Sequence, residues 1–463
     1  MQNLYSDVSS LDQKCYQIYN LPEDILMEHA AYAITQQIQK RFSKGSSVLI
    51  VAGPGNNGGD GIACARQLLG EYEVLLFLPY GAKSSMCKIQ LDRFFACGGE
   101  LVDDIHEADV VVDALFGSGL SKPLREDSVH LIKRLNKMQS FKIACDIPSG
   151  IDKDGKPLPI AFYADLTITM GALKKALFMD LAKDYVGEVV VADLGVSRAL
   201  YEEESRWKLL DFEDLKPPYR NQKNSNKGDF GHLAVIAGEK EGAAIMAAQA
   251  ALSYGAGLVS VVTFENITIP YELMHSSHLP PKTSAIAVGM GLGFEYCDED
   301  LKALLNNDLP LVVDADLFYS EKILELLNRS NIVLTPHPKE FASLLKLCAI
   351  AEVTPKEVQE NRASLVEEFA KKYPNAVLVL KGANPIIAQD NRFFINPHGT
   401  NALAKGGSGD ILTGLIGALL AQGFPALEAA LQGSLAHAIA SQKVKKANYA
   451  LRPSDLIETV GDL

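Results

Sequence analysis

The residues best suited to chemistry in the first half of the chain are a glycine-rich loop and four polar side chains. The loop, Gly53–Gly61, reads GPGNNGGDG and is neither GxGxxG nor a P-loop, since it lacks the GK[ST] ending. Asn57, Asp113 and Ser149 would supply hard oxygens suited to a cation, and Asp146 would suit general acid–base work. The alternative for the glycine loop is a tight turn without a ligand. The alternative for the aspartates is that each only caps the helix that follows it, and for any one aspartate considered alone this interpretation is favoured over a functional role.

A second group of such residues lies near the other end of the chain. Asn401–Asp410 reads NALAKGGSGD and precedes an apolar segment. Small residues before a helix start can form an anion hole from backbone N–H groups. On the first turn of that helix, Asp410 could take a proton from a hydroxyl that attacks a phosphoryl group. The alternative is a glycine-rich loop with Asp410 merely well placed toward the helix dipole.

Strands alternating with helices must position these residues. The predicted strands of the first half are Val48–Ala52, Val74–Leu78, Val110–Ala114, Ile143–Asp146, Leu166–Met170 and Val189–Leu194. Those of the second half are Leu233–Ala237, Val259–Thr263, Ala285–Gly289, Leu311–Asp314, Ile332–Leu334 and Val377–Lys381. Helices are expected at Ile62–Leu69, Ala243–Tyr254 and Asp410–Ala421. This pattern predicts an α/β fold with a parallel sheet in each half, and loops at the carboxyl ends of the strands can converge on one pocket.

The segment Ser197–Lys227 separates the two α/β patterns. It is rich in Glu, Lys, Asn and Pro and contains Pro217-Pro218, so it buries little apolar area. We interpret it as an inter-domain connection, with a surface excursion inside one large domain as the alternative. The predicted organisation is a first domain over residues 1–205, a linker over 206–221 and a second domain over 222–463.

Composition narrows the class of partners and the compartment. The net charge of -13 and a pI of about 5.3 disfavour nucleic acid as a partner, although local N–H groups can still bind a small anion. The seven cysteines form no CxxC pair, which disfavours a disulfide framework or a zinc site. No signal peptide is seen in Met1–Leu21 and no membrane span elsewhere, so a cytoplasmic protein is expected.

The first half contains four motifs within about residues 10–200, which are GPGNNGGDG, DALFGSGL, DIPSGID and ADLTITMGALK, in that order. Taken together, they resemble the NAD(P)H-hydrate epimerase domain, which has a Rossmann-like parallel α/β sandwich. The resemblance implies a potassium ion held by Asn57, Asp113 and Ser149, and gives His29 no role. It implies that the hydrate contacts Asn56, Asn57, Gly58, Gly59, Asp60, Gly117, Ser118, Gly119, Leu120, Ser121, Lys122, Pro123 and the catalytic Asp146.

The second half, about residues 222–460, resembles the hydrate dehydratase branch of the ribokinase-like enzymes through TPHPxE, LKGA and GGSGD. Met290 and Lys339 depart from residues frequent in that family. The resemblance implies Mg²⁺ ordered by Glu340 through water. It implies that ADP or ATP contacts Lys381, Gly382, Ala383, Asn384, Pro385 and Gly409, and that the hydrate contacts Ala243, Gly291, Gly293, His337 and the catalytic Asp410.

Both resemblances together imply one bifunctional metabolite-repair enzyme, which is also expected to be a homo-oligomer. It would epimerise the R and S hydrates of NADH and NADPH, then dehydrate the S form with ADP or ATP, releasing phosphate and, from ADP, AMP. Two alternatives remain open. The second half could be a kinase for a vitamin precursor, and the first half could be a ligand-binding module that has lost catalysis.

Overall fold

The computed structural model describes residues 1–293 and 298–463 and separates them into two compact units. One unit is Gln2–Trp207, and the other is Lys208–Leu463 together with Met1. The predicted linker begins at this division and contains a short strand, Trp207–Leu209, and a 3-10 turn, Phe212–Asp214. Within the described ranges, no helix combines the length and apolar character needed to span a bilayer. The six cysteines in these ranges are free, and Cys297 lies outside them.

The first unit is built on a six-stranded sheet in which every pair of neighbouring strands is parallel. Its strands are β1 (Ser47–Ala52), β2 (Glu73–Phe77), β3 (Val110–Ala114), β4 (Phe141–Cys145), β5 (Leu166–Met170) and β6 (Glu188–Ala192). They lie in the order β2-β1-β3-β4-β5-β6. All six were predicted, with ends that agree within two residues, because fully buried parallel strands leave continuous apolar runs in the sequence.

Helices cover both faces of this sheet. They are Ser9–Gln17, Glu23–Arg41, Asn56–Leu68, Ser85–Ala96, Glu126–Lys137 and the short Lys183–Val186 and Arg198–Tyr201; the strand Gln2–Leu4 precedes them. The first four supply buried side chains to one apolar core. Leu131, Ile132 and Leu135, from the fifth, form a separate core on the opposite face. The pocket described below lies on the side of the larger core.

The prediction that this unit's glycine loop stays irregular up to Ile62 was wrong. The helix begins at Asn56, so the Asn-Asn-Gly-Gly-Asp residues form its first turns. Close packing explains why glycine is tolerated there. A Cβ at Gly58 would lie 1.9 Å from the Gly53 carbonyl oxygen, and one at Gly59 would lie 2.8 Å from the Met27 side chain. Tertiary contacts therefore override the low helix propensity of these residues.

The second unit contains nine strands of a mixed sheet. They are β7 (His232–Ile236), β8 (Leu258–Val262), β9 (Met274–Ser276), β10 (Ala285–Val288), β11 (Leu311–Val313), β12 (Ile332–Leu334), β13 (Val377–Leu380), β14 (Ile386–Gln389) and β15 (Arg392–Ile395). Their order is β15-β14-β13-β12-β11-β10-β7-β8-β9, parallel except for the antiparallel β13-β14-β15 pairs. The six predicted strands are confirmed. The hairpin β14-β15, which turns at Asp390 with a φ of 53°, was missed.

Helices pack on this sheet closely enough to fix its loops. They are Glu241–Ser253, Asp298–Leu305, Lys322–Leu326, Pro338–Leu347, Pro355–Glu360, Arg362–Lys372, Ser408–Ala421, Ala426–Lys443 and Pro453–Val460. The alanine-rich Glu241–Ser253 meets Ser408–Ala421 so closely that a Cβ at Gly414 would lie 2.1 Å from the Ala247 carbonyl oxygen. Both helices belong to the main core of the unit. The helix that carries Asp410 is therefore held rigidly.

Candidate active sites

The first unit holds a cavity of about 470 Å³ at the carboxyl ends of β1, β3 and β4. Its lining includes many of the residues predicted to contact the hydrate: Asn56, Asn57, Asp60, Gly117, Ser118, Gly119, Leu120 and Asp146. The remaining predicted contacts do not line it. Gly58 and Gly59 are buried in helix packing, and Ser121, Lys122 and Pro123 are exposed. His29, to which no role was assigned, is exposed and lies against Gly195.

Asp146 follows the carboxyl end of β4 and has a strained backbone conformation, with a φ of 70°. Such strain is sustained only where surrounding contacts fix it, and it is frequent at active sites. One carboxylate oxygen, Oδ1, lies 2.6 Å from Nζ of Lys174 and accepts the Met170 N–H at 3.2 Å. The other, Oδ2, accepts the Ser118 N–H at 3.3 Å. No helix begins directly after Asp146, so the capping alternative does not apply to it.

Lys174 belongs to this site, but the sequence analysis did not assign it a role. It is the last residue of the ADLTITMGALK motif, lines the cavity and is only 2% exposed. Beyond Asp146, its ammonium donates to Thr169 Oγ1 at 3.1 Å and to the Met170 carbonyl oxygen at 3.0 Å. A buried charge needs such partners. A lysine at the end of an apolar motif could therefore have indicated a buried ion pair.

Three further carboxyl groups line the same cavity, those of Asp12, Glu23 and Asp60. Burial, with the charges of Asp146, Asp12 and Glu23, raises the pKa of Asp60 well above its usual range. Burial also raises the pKa of Asp12, although the Tyr201 hydroxyl donates to it at 2.7 Å. Asp12, on the helix Ser9–Gln17, was not predicted. The cavity thus combines an ion-paired carboxylate with two carboxyl groups whose pKa burial raises, an arrangement suited to acid–base work.

Asp113 and Ser149, two of the predicted cation ligands, are directly bonded to each other. The Ser149 N–H and hydroxyl donate to the two Asp113 carboxylate oxygens at 2.8 and 2.6 Å, and the Leu115 N–H donates at 3.2 Å. Burial raises the pKa of Asp113 to about 6. The helix that follows β3 begins only at Glu126, so Asp113 is not its cap.

Asn57 lies at the start of its helix, with its side-chain amide facing the loop after β3. A Cβ at Gly117 would lie 3.0 Å from Asn57 Oδ1 and 3.2 Å from Asp146 Oδ2. The buried amide nitrogen of Asn57 has no hydrogen-bond partner among the described residues. A buried amide nitrogen donates hydrogen bonds, so it marks a place where an acceptor group of a ligand can complete the site.

In the second unit, the helix Ser408–Ala421 begins after Gly407, which adopts a left-handed φ of 90°. Asp410 lies on its first turn, as predicted. Burial and the neighbouring Asp314 raise the pKa of Asp410 to about 6, with Lys381 acting in the opposite direction. Gly409 approaches the lysine closely, because a Cβ there would lie 3.4 Å from Lys381 Nζ. The predicted base and part of the predicted nucleotide loop are therefore neighbours.

Asp314, at the end of β11, joins these elements and was not predicted. Its Oδ1 accepts from Lys381 Nζ at 2.7 Å, and its Oδ2 accepts from the Thr413 hydroxyl at 2.9 Å. Burial alone would lower the pKa of Lys381, but the negative charges of Asp314 and Glu340 raise it above its usual value. Asp314 and Thr413 could have been found only from the rule that polar residues at the carboxyl ends of strands face a site.

His337 and Glu340 form a capping box at the start of the helix Pro338–Leu347. His337 Nδ1 accepts hydrogen bonds from the backbone N–H groups of Lys339 and Glu340. The backbone N–H of His337 donates to Glu340 Oε2 at 2.7 Å. Burial lowers the pKa of His337 and raises that of Glu340 to about 7. Glu340 Oε2 also lies 3.7 Å from Lys381 Nζ, which connects the TPHPxE motif to the charged cluster. Lys339 is exposed.

A buried arginine holds the loop after β13 through hydrogen bonds to its carbonyl oxygens. Arg362, which is 2% exposed, donates to the carbonyl oxygens of Leu380 and Lys381 at 3.1 Å and of Asn384 at 3.3 Å. Elsewhere, Ala243 and Gly291 are close neighbours, since a Cβ at Gly291 would lie 3.2 Å from the Ala243 Cβ. The Gly293 N–H donates to Asp316.

Comparison with known proteins assigns each unit to a family. A family model described as NAD(P)H-hydrate dehydratase matches residues 233–461, and one described as YjeF-related protein N-terminus matches residues 23–176. The bifunctional NAD(P)H-hydrate repair enzyme Nnr of Helicobacter pylori is 44% identical over 474 residues, covering 100% of both chains. That of Escherichia coli is 34% identical, covering 94% of this chain and 88% of the relative.

Among solved structures, a Bacillus subtilis ADP/ATP-dependent NAD(P)H-hydrate dehydratase, co-crystallised with ATP and Mg²⁺, matches at 27% identity. The match has a TM-score of 0.46 and covers 54% of this chain and 94% of that chain.

Proposed function

We propose, because the chain belongs to the family of bifunctional NAD(P)H-hydrate repair enzymes, that its two units act on the same damaged cofactors. The first unit interconverts the R and S hydrates of NADH and NADPH. The second dehydrates the S hydrate with ADP or ATP. The observation that carries the proposal is identity of 44% to a named repair enzyme across the whole chain, and a polar site in each unit supports it.

For the epimerase, we assign hydrate binding to the predicted residues that line the cavity, from the Asn56–Asp60 segment and the Gly117–Leu120 loop. The hydrate carries a hydroxyl on C6 of the ring, next to the ring nitrogen. The nitrogen lone pair can expel that hydroxyl, and water can return on the other face. Asp146 is within the cavity and handles the proton that these steps exchange.

For the dehydratase, we assign Asp410 as the base that takes the proton of the C6 hydroxyl while it attacks a nucleotide phosphoryl group. Phosphate then leaves C6 more readily than hydroxide when the ring nitrogen lone pair expels it. Loss of a proton from C5 to water forms the C5–C6 double bond and restores the reduced cofactor. With ADP the other product is AMP. The first turns of the helix Ser408–Ala421 offer free N–H groups to the transferred phosphoryl group, and the Lys381–Pro385 loop and Gly409 contact the nucleotide.

The potassium site predicted for the first unit fits the residues present. Asp113 contributes one buried carboxylate without a cationic partner among the described residues, Ser149 a hydroxyl oxygen, and Asn57 the oxygen of its side-chain amide. Among the described residues, no group of three or more His, Cys, Asp and Glu side chains is arranged for a metal. One carboxylate among neutral oxygens suits a monovalent ion better than a divalent one. A bound potassium ion would supply positive charge near the cofactor phosphates.

The residues of the second unit fit Mg²⁺ only in an indirect role. Both carboxylate oxygens of Glu340 are engaged by His337, so Glu340 would act through water, as the family resemblance implies. Mg²⁺ commonly keeps several waters and binds substrate phosphates with one or two carboxylates. Such an ion would neutralise charge on the nucleotide phosphates.

The test supplies purified full-length protein with a mixture of R and S hydrates and either ADP or ATP. Recovery of reduced-nicotinamide absorbance for the entire mixture, with one phosphate released per cofactor, is the expected result. Recovery of only the S fraction would refute the epimerase. A stable phosphorylated product without recovered absorbance would instead support the kinase alternative.

Two other expectations remain proposals of the same kind. We expect a homo-oligomer, which light scattering on the purified protein would establish or refute. A reducing, cytoplasmic setting also remains our proposal, and it suits the six described cysteines, which are all free.

A further inference from the structure

Lys174 is the most completely buried charge in the first unit's cavity, and its ammonium is held by three protein groups. Its side chain is 3% exposed. The ammonium forms an ion pair with Asp146 Oδ1 at 2.6 Å and donates to Thr169 Oγ1 at 3.1 Å and to the Met170 carbonyl oxygen at 3.0 Å. Because these contacts hold the ammonium against Asp146, we expect Lys174 to act on bound substrate through that carboxylate.

The two oxygens of Asp146 are placed in different surroundings. Oδ1 is held by Lys174 and by the Met170 N–H at 3.2 Å, with the Thr169 hydroxyl at 3.5 Å. Oδ2 accepts one long hydrogen bond, from the Ser118 N–H at 3.3 Å. It also faces the position where a Cβ of Gly117 would stand, at 3.2 Å, in the loop that lines the cavity. The carboxylate is thus anchored on one side and open on the other.

We propose that Lys174 is a positioning residue that anchors Oδ1 of Asp146 and thereby reserves Oδ2 for proton transfer at C6 of the hydrate. The proposal rests on the epimerase function proposed above. The anchor matters because Asp146 has a strained backbone and a short side chain with two rotatable bonds. Fixing one oxygen by an ion pair at 2.6 Å sets the direction of the other.

The proton balance of the step then has an assignment for each atom. The C6–O bond breaks as the ring nitrogen lone pair forms a C6–N double bond, and the hydroxyl leaves as water after taking a proton. Asp60 is suited to supply it, since its carboxyl lines the cavity and has no hydrogen-bond partner among the described residues. On the opposite face, water forms a new C6–O bond and gives a proton to Asp146 Oδ2. Solvent water returns that proton to Asp60.

The first test replaces the ammonium with an apolar group of similar length in the full-length protein. For Lys174→Met, we expect kcat for R-to-S conversion to fall about 100-fold, the low end for a general acid–base group, with KM within about twofold. Nucleotide-dependent dehydration of pure S hydrate should be unchanged. The matched control is Lys175→Met, which removes the adjacent buried lysine, whose Nζ lies 4.7 Å from the Trp207 ring. We expect that control to keep its epimerase kcat.

The emission of Trp207, the single tryptophan of the chain, checks that the first unit of the Lys174 variant is folded. If Lys174→Met does not fold, the double variant Lys174→Met/Asp146→Asn removes both charges and keeps the test available. A positioning role predicts that the double variant is no slower than Asp146→Asn alone, because Lys174 then has nothing left to position.

Three results would overturn the proposal. They are a rise in KM without loss of kcat, an equal loss in Lys175→Met, and effects of the two substitutions that multiply in the double variant. A failure of the epimerase assignment itself is distinguishable, since the unsubstituted protein would then leave the R hydrate unconverted. Full activity of Asp146→Asn would refute the role of Asp146 in proton transfer and, with it, the positioning role of Lys174.

Discussion

Each unit contains a buried aspartate–lysine pair at the end of a parallel strand, and the two pairs are used differently. Asp146 lies 2.6 Å from Lys174 in the first unit, and Asp314 lies 2.7 Å from Lys381 in the second. Asp146 keeps one oxygen toward its cavity. Asp314 gives its second oxygen to the Thr413 hydroxyl at 2.9 Å, so it has no free oxygen facing a substrate. The same pair is therefore suited to proton transfer in one unit and to scaffolding in the other.

This difference explains why the second unit carries a separate base. Asp410 contacts no lysine directly among the hydrogen bonds and ion pairs of the described residues, and burial with the nearby Asp314 raises its pKa to about 6. A base with a pKa slightly below the working pH is ionised and still accepts a proton well. The first unit combines the anchor and the base in Asp146, whereas the second divides those tasks between Asp314 and Asp410.

The largest effect should come from removing the separate base. We expect Asp410→Asn to lower nucleotide-dependent dehydration of S hydrate about 100- to 10,000-fold, because the amide cannot accept the C6 hydroxyl proton. R-to-S conversion should be unchanged. Asp146→Asn is the matched control, with the opposite pattern expected. Phosphate release and recovered absorbance provide the measurements. Near-full turnover by Asp410→Asn would contradict the division of roles.

The scaffold role of Asp314 predicts a loss of stability as well as activity. Asp314→Ala leaves Lys381 buried without its main partner, and removing one member of a buried pair typically costs about 3–5 kcal/mol. Thr413→Val, which loses one hydroxyl hydrogen bond to the same carboxylate, should cost less, about 1.5–3 kcal/mol. Urea unfolding followed by circular dichroism compares them. Similar small losses in both variants would show that Asp314 does not hold the cluster together.

The sequence predicted the strands and the residues at their ends better than it predicted what those residues bind. Asp146 and Asp410 were found because each directly follows or begins a regular element. Lys174 and Asp314 were missed because ion pairs between distant elements leave no periodic pattern in the sequence. The cavity itself depends on such pairs, so its lining could be predicted only in part.

The remaining differences also have physical causes. The helix at Asn56 starts inside a glycine-rich segment because close packing against Gly53 and Met27 requires glycine. The hairpin β14-β15 is short, and only its Asp390-Asn391 turn signalled it. Ser121, Lys122 and Pro123 carry the family motif but are exposed beyond the cavity lining. The family motif therefore includes residues that do not line the cavity.

A smaller and graded effect is expected from pH. Because the pKa of Asp410 is raised to about 6, its carboxylate becomes protonated, and unable to accept a proton, as pH falls through that value. The rate of dehydration should therefore drop about tenfold per pH unit well below pH 6 and level off above pH 7. Initial rates on S hydrate between pH 5 and pH 8, corrected for the enzyme-free reaction, measure this. A flat profile would separate Asp410 from proton transfer.

The smallest effect should come from the cation proposed for the first unit. Potassium at about ten times its Kd should raise the free energy of unfolding of this unit by about 1.4 kcal/mol, since it binds only the folded state. Trp207, which is 3% exposed, reports that unfolding by its fluorescence. Sodium and tetramethylammonium at the same ionic strength should give less.

Asp113→Asn tests whether this stabilisation comes from the proposed ligand. The substitution keeps the shape of the side chain but removes its charge, so the potassium increment should disappear and R-to-S conversion should lose its potassium dependence. Asp92→Asn makes the same charge change at an exposed position of the helix Ser85–Ala96 and should retain both. Equal stabilisation of the unsubstituted protein by all three cations, or an increment that survives in Asp113→Asn, would leave Asp113 as a residue that only joins the loops after β3 and β4.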